Sequence, residues 1–271
     1  MQKLKGIALY VLILFIGVSC SKFRKIEKNP DWHVKYQGGL DYYAKEKYFK
    51  ASSLFEQILP IVRGLPEGET VQFKNAYCQF HQQFYLLASE QYKTFYETYG
   101  RSAMAEEARF MYAFSLFKAS PNANLDQSSS IDAMAAMQEF LNRYQNSKFK
   151  DQAIEVIVAS QEKLEIKSFN NAKLYYRMRY YKASMVSFTN FRNNYPDSRY
   201  VEEAYYLTIV AGYKLALQSI YSKQNDRYIE VVENYKDFLD RYPQSPYLVE
   251  AEKLYADSLS KIKNQKKNNN S

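Results

Sequence analysis

One spacing recurs five times along this chain: a small or branched residue, a large apolar residue four places on, another three further, and a third four beyond that. The copies are Ala51-Phe55-Ile58-Val62, Ala88-Tyr92-Phe95-Tyr99, Ala133-Met137-Phe140-Tyr144, Ser184-Phe188-Phe191-Tyr195 and Val231-Tyr235-Phe238-Tyr242. Offsets of 0, 4, 7 and 11 fall on one stripe of an α-helix at 3.6 residues per turn, so each copy reads as a helix that buries that stripe. Five such helices imply stacked repeats, each covering its neighbour's apolar face. Glycine usage agrees: seven of the eight glycines lie at or before Gly100 and only Gly212 follows. The hairpins and phosphate-cradling loops of sandwiches, barrels and dinucleotide-binding folds therefore lack their usual residue over most of the chain. The 27 tyrosines and 17 phenylalanines, against a single Trp32, read as wedges between helices.

A second element follows four of the copies: Tyr-x-x-Ser-x-x-x-x-[Glu/Gln]-Ala, over Tyr99 to Ala108, Tyr144 to Ala153, Tyr195 to Ala204 and Tyr242 to Ala251. It combines a helix stop with a new start. Pro196 and Pro243 cannot continue a helix. Ser102, Ser147, Ser198 and Ser245 are expected to cap the next one, and Glu106, Glu107, Glu202, Glu203 and Glu250 fall where its dipole favours acid. The closing alanines let two helices approach closely. The unit is an antiparallel helix pair, and the insertions Ser120 to Gln127 and Ser222 to Asp226 are expected to be lengthened turns. The stretch from Ser147 to Lys182 reads as one or two long helices joining two groups of repeats.

The N-terminus carries a different signal. Lys3 and Lys5 precede an apolar run from Ile7 to Ile16, and Gly17-Val18-Ser19 leads to Cys20. The run is about half the roughly 20 residues that span a bilayer, so residues 1–19 read as a signal peptide. Small residues before a cysteine resemble the lipobox of bacterial lipoproteins, which implies diacylglycerol on Cys20. The net charge is +8, or +6 once Lys3 and Lys5 leave with the signal, and Lys22, Arg24, Lys25 and Lys28 follow the anchor, where anionic headgroups suit them. Nucleic acid is not an expected partner of an exported chain. Cys78 then has no partner for a disulfide and, among Tyr77, Phe80 and Phe84, reads as core.

The spacing of small residues resembles the tetratricopeptide repeat: Gly39 and Ala51, Ala76 and Ala88, Ala172 and Ser184 each stand twelve apart. Behind a lipobox, such repeats resemble the BamD family of outer-membrane β-barrel assembly lipoproteins. Local strings sharpen this toward its Bacteroidetes branch: Arg101-Ser-Ala-Met-Ala-Glu-Glu-Ala108, Ser120-Pro121 followed by Leu125-Asp126-Gln127, Phe140-Leu-Asn-Arg-Tyr144 and Ala172-Lys-Leu-Tyr-Tyr176. Arg177-Met178-Arg179-Tyr180 departs from the glycine or acidic residue common at that turn, leaving its tightness open. The resemblance implies an all-α, right-handed solenoid of about five tetratricopeptide-like pairs with a C-terminal capping helix. It also implies a non-catalytic scaffold at the outer membrane, anchored by lipid and facing the periplasm. Such a scaffold binds the periplasmic domains of the barrel subunit BamA together with other assembly lipoproteins, and recognises the C-terminal signals of unfolded outer-membrane proteins. On this reading Tyr43, Phe73, Tyr77, Phe80 and His81 are candidates to line a peptide groove near Lys74, with core packing as the competing role of each aromatic.

The expected organisation is a signal peptide at 1–19, a lipidated tether at 20–31, N-terminal repeats at 32–146, C-terminal repeats at 147–263 and a disordered tail at 264–271. No cofactor or metal is expected: the only histidines are His33 and His81, and no HExxH, Gly-rich phosphate loop or GxSxG elbow occurs. The alternatives are a periplasmic tetratricopeptide lipoprotein coordinating cell division or peptidoglycan synthesis, and a glycan-binding lipoprotein. The single Trp32 speaks against the latter.

Overall fold

A computed structural model describes residues 22–269. The signal peptide and Cys20 lie outside the described residues. A helical segment at 22–27 (α1) is followed by α2 (Trp32–Ala44), α3 (Tyr48–Val62), α4 (Pro66–His81), α5 (Tyr85–Thr98), α6 (Ala105–Ala119), α7 (Ser128–Arg143), α8 (Lys150–Arg177), α9 (Tyr181–Asn194), α10 (Val201–Leu217), α11 (Tyr221–Arg241) and α12 (Leu248–Asn269). The fold class is all-α, with no strand among the described residues. Helices adjacent in sequence pack on one another from α2 to α7 and from α9 to α12. Helix α8 packs Ala153 and Val156 into the core of the first unit and Phe169 against Phe188 and Phe191 of α9 in the second, giving tetratricopeptide-like pairs with α12 after the fifth.

The aromatic stripe forms the core. The first three positions of all five copies are buried, as is Val62, while Tyr99, Tyr144, Tyr195 and Tyr242 are half-buried. Those four tyrosines end α5, α7, α9 and α11. Each donates its backbone N–H to the carbonyl of the phenylalanine one turn earlier and packs its ring on that residue, with centroids 5.3–5.8 Å apart. Burying each such phenylalanine contributes about 1.5–3 kcal/mol. The small positions are also explained. A Cβ on Gly39 would stand 2.5 Å from the ring of Phe55, and Ser184, where the other pairs carry Ala or Val, donates its hydroxyl to the carbonyl of Ala172 at 2.9 Å.

The serines act two residues earlier than expected. Ser102, Ser147, Ser198 and Ser245 accept the backbone N–H of Met104, Phe149, Tyr200 and Tyr247, and their carbonyls accept the N–H three residues on. They close a tight turn that feeds the helix, and the α-helical N-caps are Met104 and Tyr200, which make no side-chain cap bond. Two serines also clasp the preceding pair, donating to Glu69 and Glu106 respectively.

Four of the five pairs turn within three residues. Three of these turns place a non-glycine residue in the left-handed region: Glu46 at φ 55°, Gln83 at 65° and Arg179 at 64°. The hydrogen bonds repeat, from Phe84 to Gln79 and Gln83 to Phe80, and from Tyr180 to Tyr175 and Arg179 to Tyr176. The turn at Arg177–Tyr180 is therefore as tight as that after α4, with an arginine standing where a helix end favours glycine.

Two expectations are corrected. Residues 222–226 do not lengthen a turn; they are the first coils of α11, where Gln224 donates to the Ser219 carbonyl at 2.9 Å. Their polar sequence lacks glycine and proline and so can remain helical. The expected tail from 264 instead continues α12 to Asn269, and Gln265 donates to Gln224 at 3.2 Å. The lengthened turn after α6 is present. Within it Leu125 accepts from Lys167, and Asn124 from Asn170, both on α8.

The chain divides into two compact units. One comprises the described residues up to Pro121 with Gln127–Ser160, and the other Asn122–Asp126 with the residues from Gln161 onward. The division falls within α8, whose 28 residues supply both units, rather than at its start.

Candidate functional site

The first unit carries an aromatic surface built by one helix end and two helix turns. Tyr43 sits in the last turn of α2, Tyr48 begins α3 just past the left-handed Glu46, and Tyr77 and His81 stand one turn apart on α4. Their rings meet: Tyr43 and Tyr77 at 5.6 Å, Tyr43 and Tyr48 at 6.0 Å, Tyr48 and His81 stacked at 4.4 Å, Tyr77 and His81 at 4.5 Å. Lys74, three residues before Tyr77, holds its Nζ 4.0 Å from the centre of the Tyr43 ring. That contact is a cation–π pair.

Electrostatics follow from partial burial. Burial raises the phenols of Tyr43 and Tyr77 above the ordinary tyrosine range, with neighbouring ionisable groups adding to it, and does the same to Tyr48 beside Glu46. Burial also lowers Lys74 and His81, the latter opposed by Glu46. The three tyrosine hydroxyls make no hydrogen bond, and Lys74 no ion pair, among the described residues. The cluster thus presents apolar ring faces, unused hydroxyls and one ammonium group, which together suit an aromatic side chain next to a carboxylate.

Of the sequence candidates, the structure brings Tyr43, Tyr77 and His81 together. Phe80 is half-buried and borders them, with its ring 5.7 Å from His81 on one side and 5.7 Å from Phe114 on the other. Phe73 is a core residue, 7% exposed, packed edge-on against Tyr92 and Phe95, so it does not face a ligand. Sequence reasoning missed Tyr48. Its signal is its place three residues before Ala51, on the same helix face and next to the turn. Cys78 is buried, and burial pushes its thiol up to about 12, so it carries no thiolate chemistry at neutral pH. Among the described residues no group of three or more His, Cys, Asp or Glu stands ready for a metal, and no helix is long and apolar enough to cross a membrane.

Tetratricopeptide-like helix pairs, with aromatic rings and a lysine gathered on one face of the first unit, define a helical-repeat protein. Its sequence matches the YfiO family, described as outer membrane lipoprotein, over residues 30–226, and the chain belongs to that family. The matched span runs from the start of α2 into α11; the rest of α11 and α12 continue the same pattern. No curated protein matches the chain.

Proposed function

We propose that the protein is a non-catalytic scaffold of the outer-membrane β-barrel assembly machine, anchored through Cys20 and facing the periplasm. There it binds the barrel subunit BamA alongside other assembly lipoproteins, and recognises the C-terminal signal of unfolded outer-membrane proteins. Membership of an outer membrane lipoprotein family supports the setting, and the exposed basic residues Lys22, Arg24, Lys25 and Lys28, on and just after the helix α1 that packs Phe23 against Tyr42, suit a membrane-apposed N-terminal end. The observation that carries the recognition step is the Tyr43–Tyr48–Tyr77–His81 cluster with Lys74 above Tyr43. An extended chain ending in an aromatic residue offers a ring for the cluster and a terminal carboxylate for Lys74.

Affinity purification of the full-length chain from detergent-solubilised envelopes tests the assembly role. The expected result is co-recovery of a BamA-type barrel protein. Recovery of cell-division or peptidoglycan-synthesis proteins without it contradicts the proposal.

A further inference from the structure

Across α4 from the aromatic cluster lies a cleft of about 530 Å³, walled by Leu59 of α3 and Arg63 just past its end, Gln72 and Asn75 of α4, and Gln91 and Thr94 of α5. Gly68, Gln72 and Asn75 fall at offsets 0, 4 and 7 on one stripe of α4. Lys74, Tyr77 and His81 fall on another, about half a turn away. All belong to the first unit.

Asn75 is the anomaly in this cleft. It is 1% exposed, yet its Oδ1 has no hydrogen-bond partner, and its Nδ2 reaches Gln91 Oε1 only at 3.5 Å, at the limit of a hydrogen bond. A buried carboxamide this poorly satisfied destabilises the fold relative to an apolar side chain of similar shape. Fold stability therefore gives no reason for an amide there, whereas a ligand that donates to it does. Two more amides stand beside it. Gln72 and Gln91 add carboxamides, each with a donor and an acceptor in one plane, the complement of a peptide group. Gln72 has no partner among the described residues. Arg63 on one wall and Glu90 on the other form no ion pair among them either, while Leu59 and Pro60 supply an apolar patch.

We propose that this cleft binds an extended polypeptide segment. The segment's backbone amides pair with Asn75, Gln72 and Gln91, and an acidic side chain is directed at Arg63. The backbone N–H donated to Asn75 is the anchor: the Asn75 Oδ1 is covered in the free protein, so the carboxamide turns toward the cleft to accept, and the contact satisfies a desolvated acceptor. The Arg63 contact is exposed and screened, and so contributes less. The site is separate from the aromatic surface, leaving the protein able to hold two extended segments on opposite sides of α4.

The test is selection of a displayed library of random linear peptides against the mature chain, followed by titration of the enriched peptides as synthetic molecules. A class bearing an acidic residue is expected. Its Kd rises about tenfold or more in Asn75→Leu, severalfold in Gln72→Ala and about threefold in Arg63→Gln, with no change in Tyr77→Ala. Asn75→Leu also raises Tm, and the half-buried Gln72 provides a variant that leaves the core intact. Failure to enrich such a class, or peptides whose affinity responds to Tyr77→Ala but to neither Asn75→Leu nor Gln72→Ala, overturns the proposal.

Discussion

The two units spend their tyrosines differently. In the second unit two of the three phenols of α10 are tied down: Tyr206 donates to Glu250 and Tyr213 to Asp257, each at 2.5 Å, so that α12 is strapped to α10. In the first unit Tyr43, Tyr48 and Tyr77 lean on one another and on His81 and Lys74, and their hydroxyls are left without partners among the described residues. The same residue type serves as a strut where a carboxylate from the covering helix reaches its hydroxyl and as an open surface where none does. Identity alone does not assign the role; what faces the ring does.

The largest expected effect lies below both surfaces. Phe55→Ala in the first unit and Phe238→Ala in the second each remove a fully buried stripe residue and should cost about 3–5 kcal/mol, read by urea unfolding. A loss confined to one unit would break the view that a single repeated core underlies both. The phenols sharpen the comparison next. Tyr213→Phe removes a hydrogen bond to a carboxylate and should cost about 1 kcal/mol, whereas Tyr43→Phe should leave stability near wild type. Equal losses would mean that the surfaces do not differ.

A third effect concerns the turns that frame them. Gln83→Gly in the first unit and Arg179→Gly in the second relieve the left-handed conformation, and each should raise stability by about 0.5–1 kcal/mol. A fall in Tm would show that the side chain is needed there. The smallest effect is a pH dependence peculiar to the first unit. Burial holds His81 below the ordinary histidine value, so the unfolded chain takes up the proton first. Stability should be complete above about pH 6.5 and decline as pH falls from there through the lower folded value. His81→Gln should flatten that slope, and an unchanged slope would place its origin elsewhere.

The helix pairs were legible in the sequence because both periodicities, the 0-4-7-11 stripe and the Tyr-x-x-Ser element, report local geometry that every copy must satisfy. Residues whose role depends on a distant neighbour were not. Phe73 and Tyr77 stand one turn apart on α4, yet the first meets Tyr92 and Phe95 within its own pair while the second meets Tyr43 of the preceding one. Tyr48 joins the cluster only because the turn at Glu46 folds α3 back beside α2. The polar insertion 222–226 had the composition of a loop, but with no breaker in it the helix simply began earlier. Asn75 gave no signal at all, since an amide on a helix is unremarkable until its burial is known.

The most direct test of the account is a titration of the mature protein with a labelled peptide ending in an aromatic residue and a free carboxylate, comparing wild type with Tyr77→Ala. The account predicts saturable binding that weakens about tenfold or more in the variant, weakens also when the terminal carboxylate is amidated, and is accompanied by little change in Tm. Unchanged affinity together with a lowered Tm would show that Tyr77 is structural and would contradict the assignment of the aromatic cluster as the recognition surface.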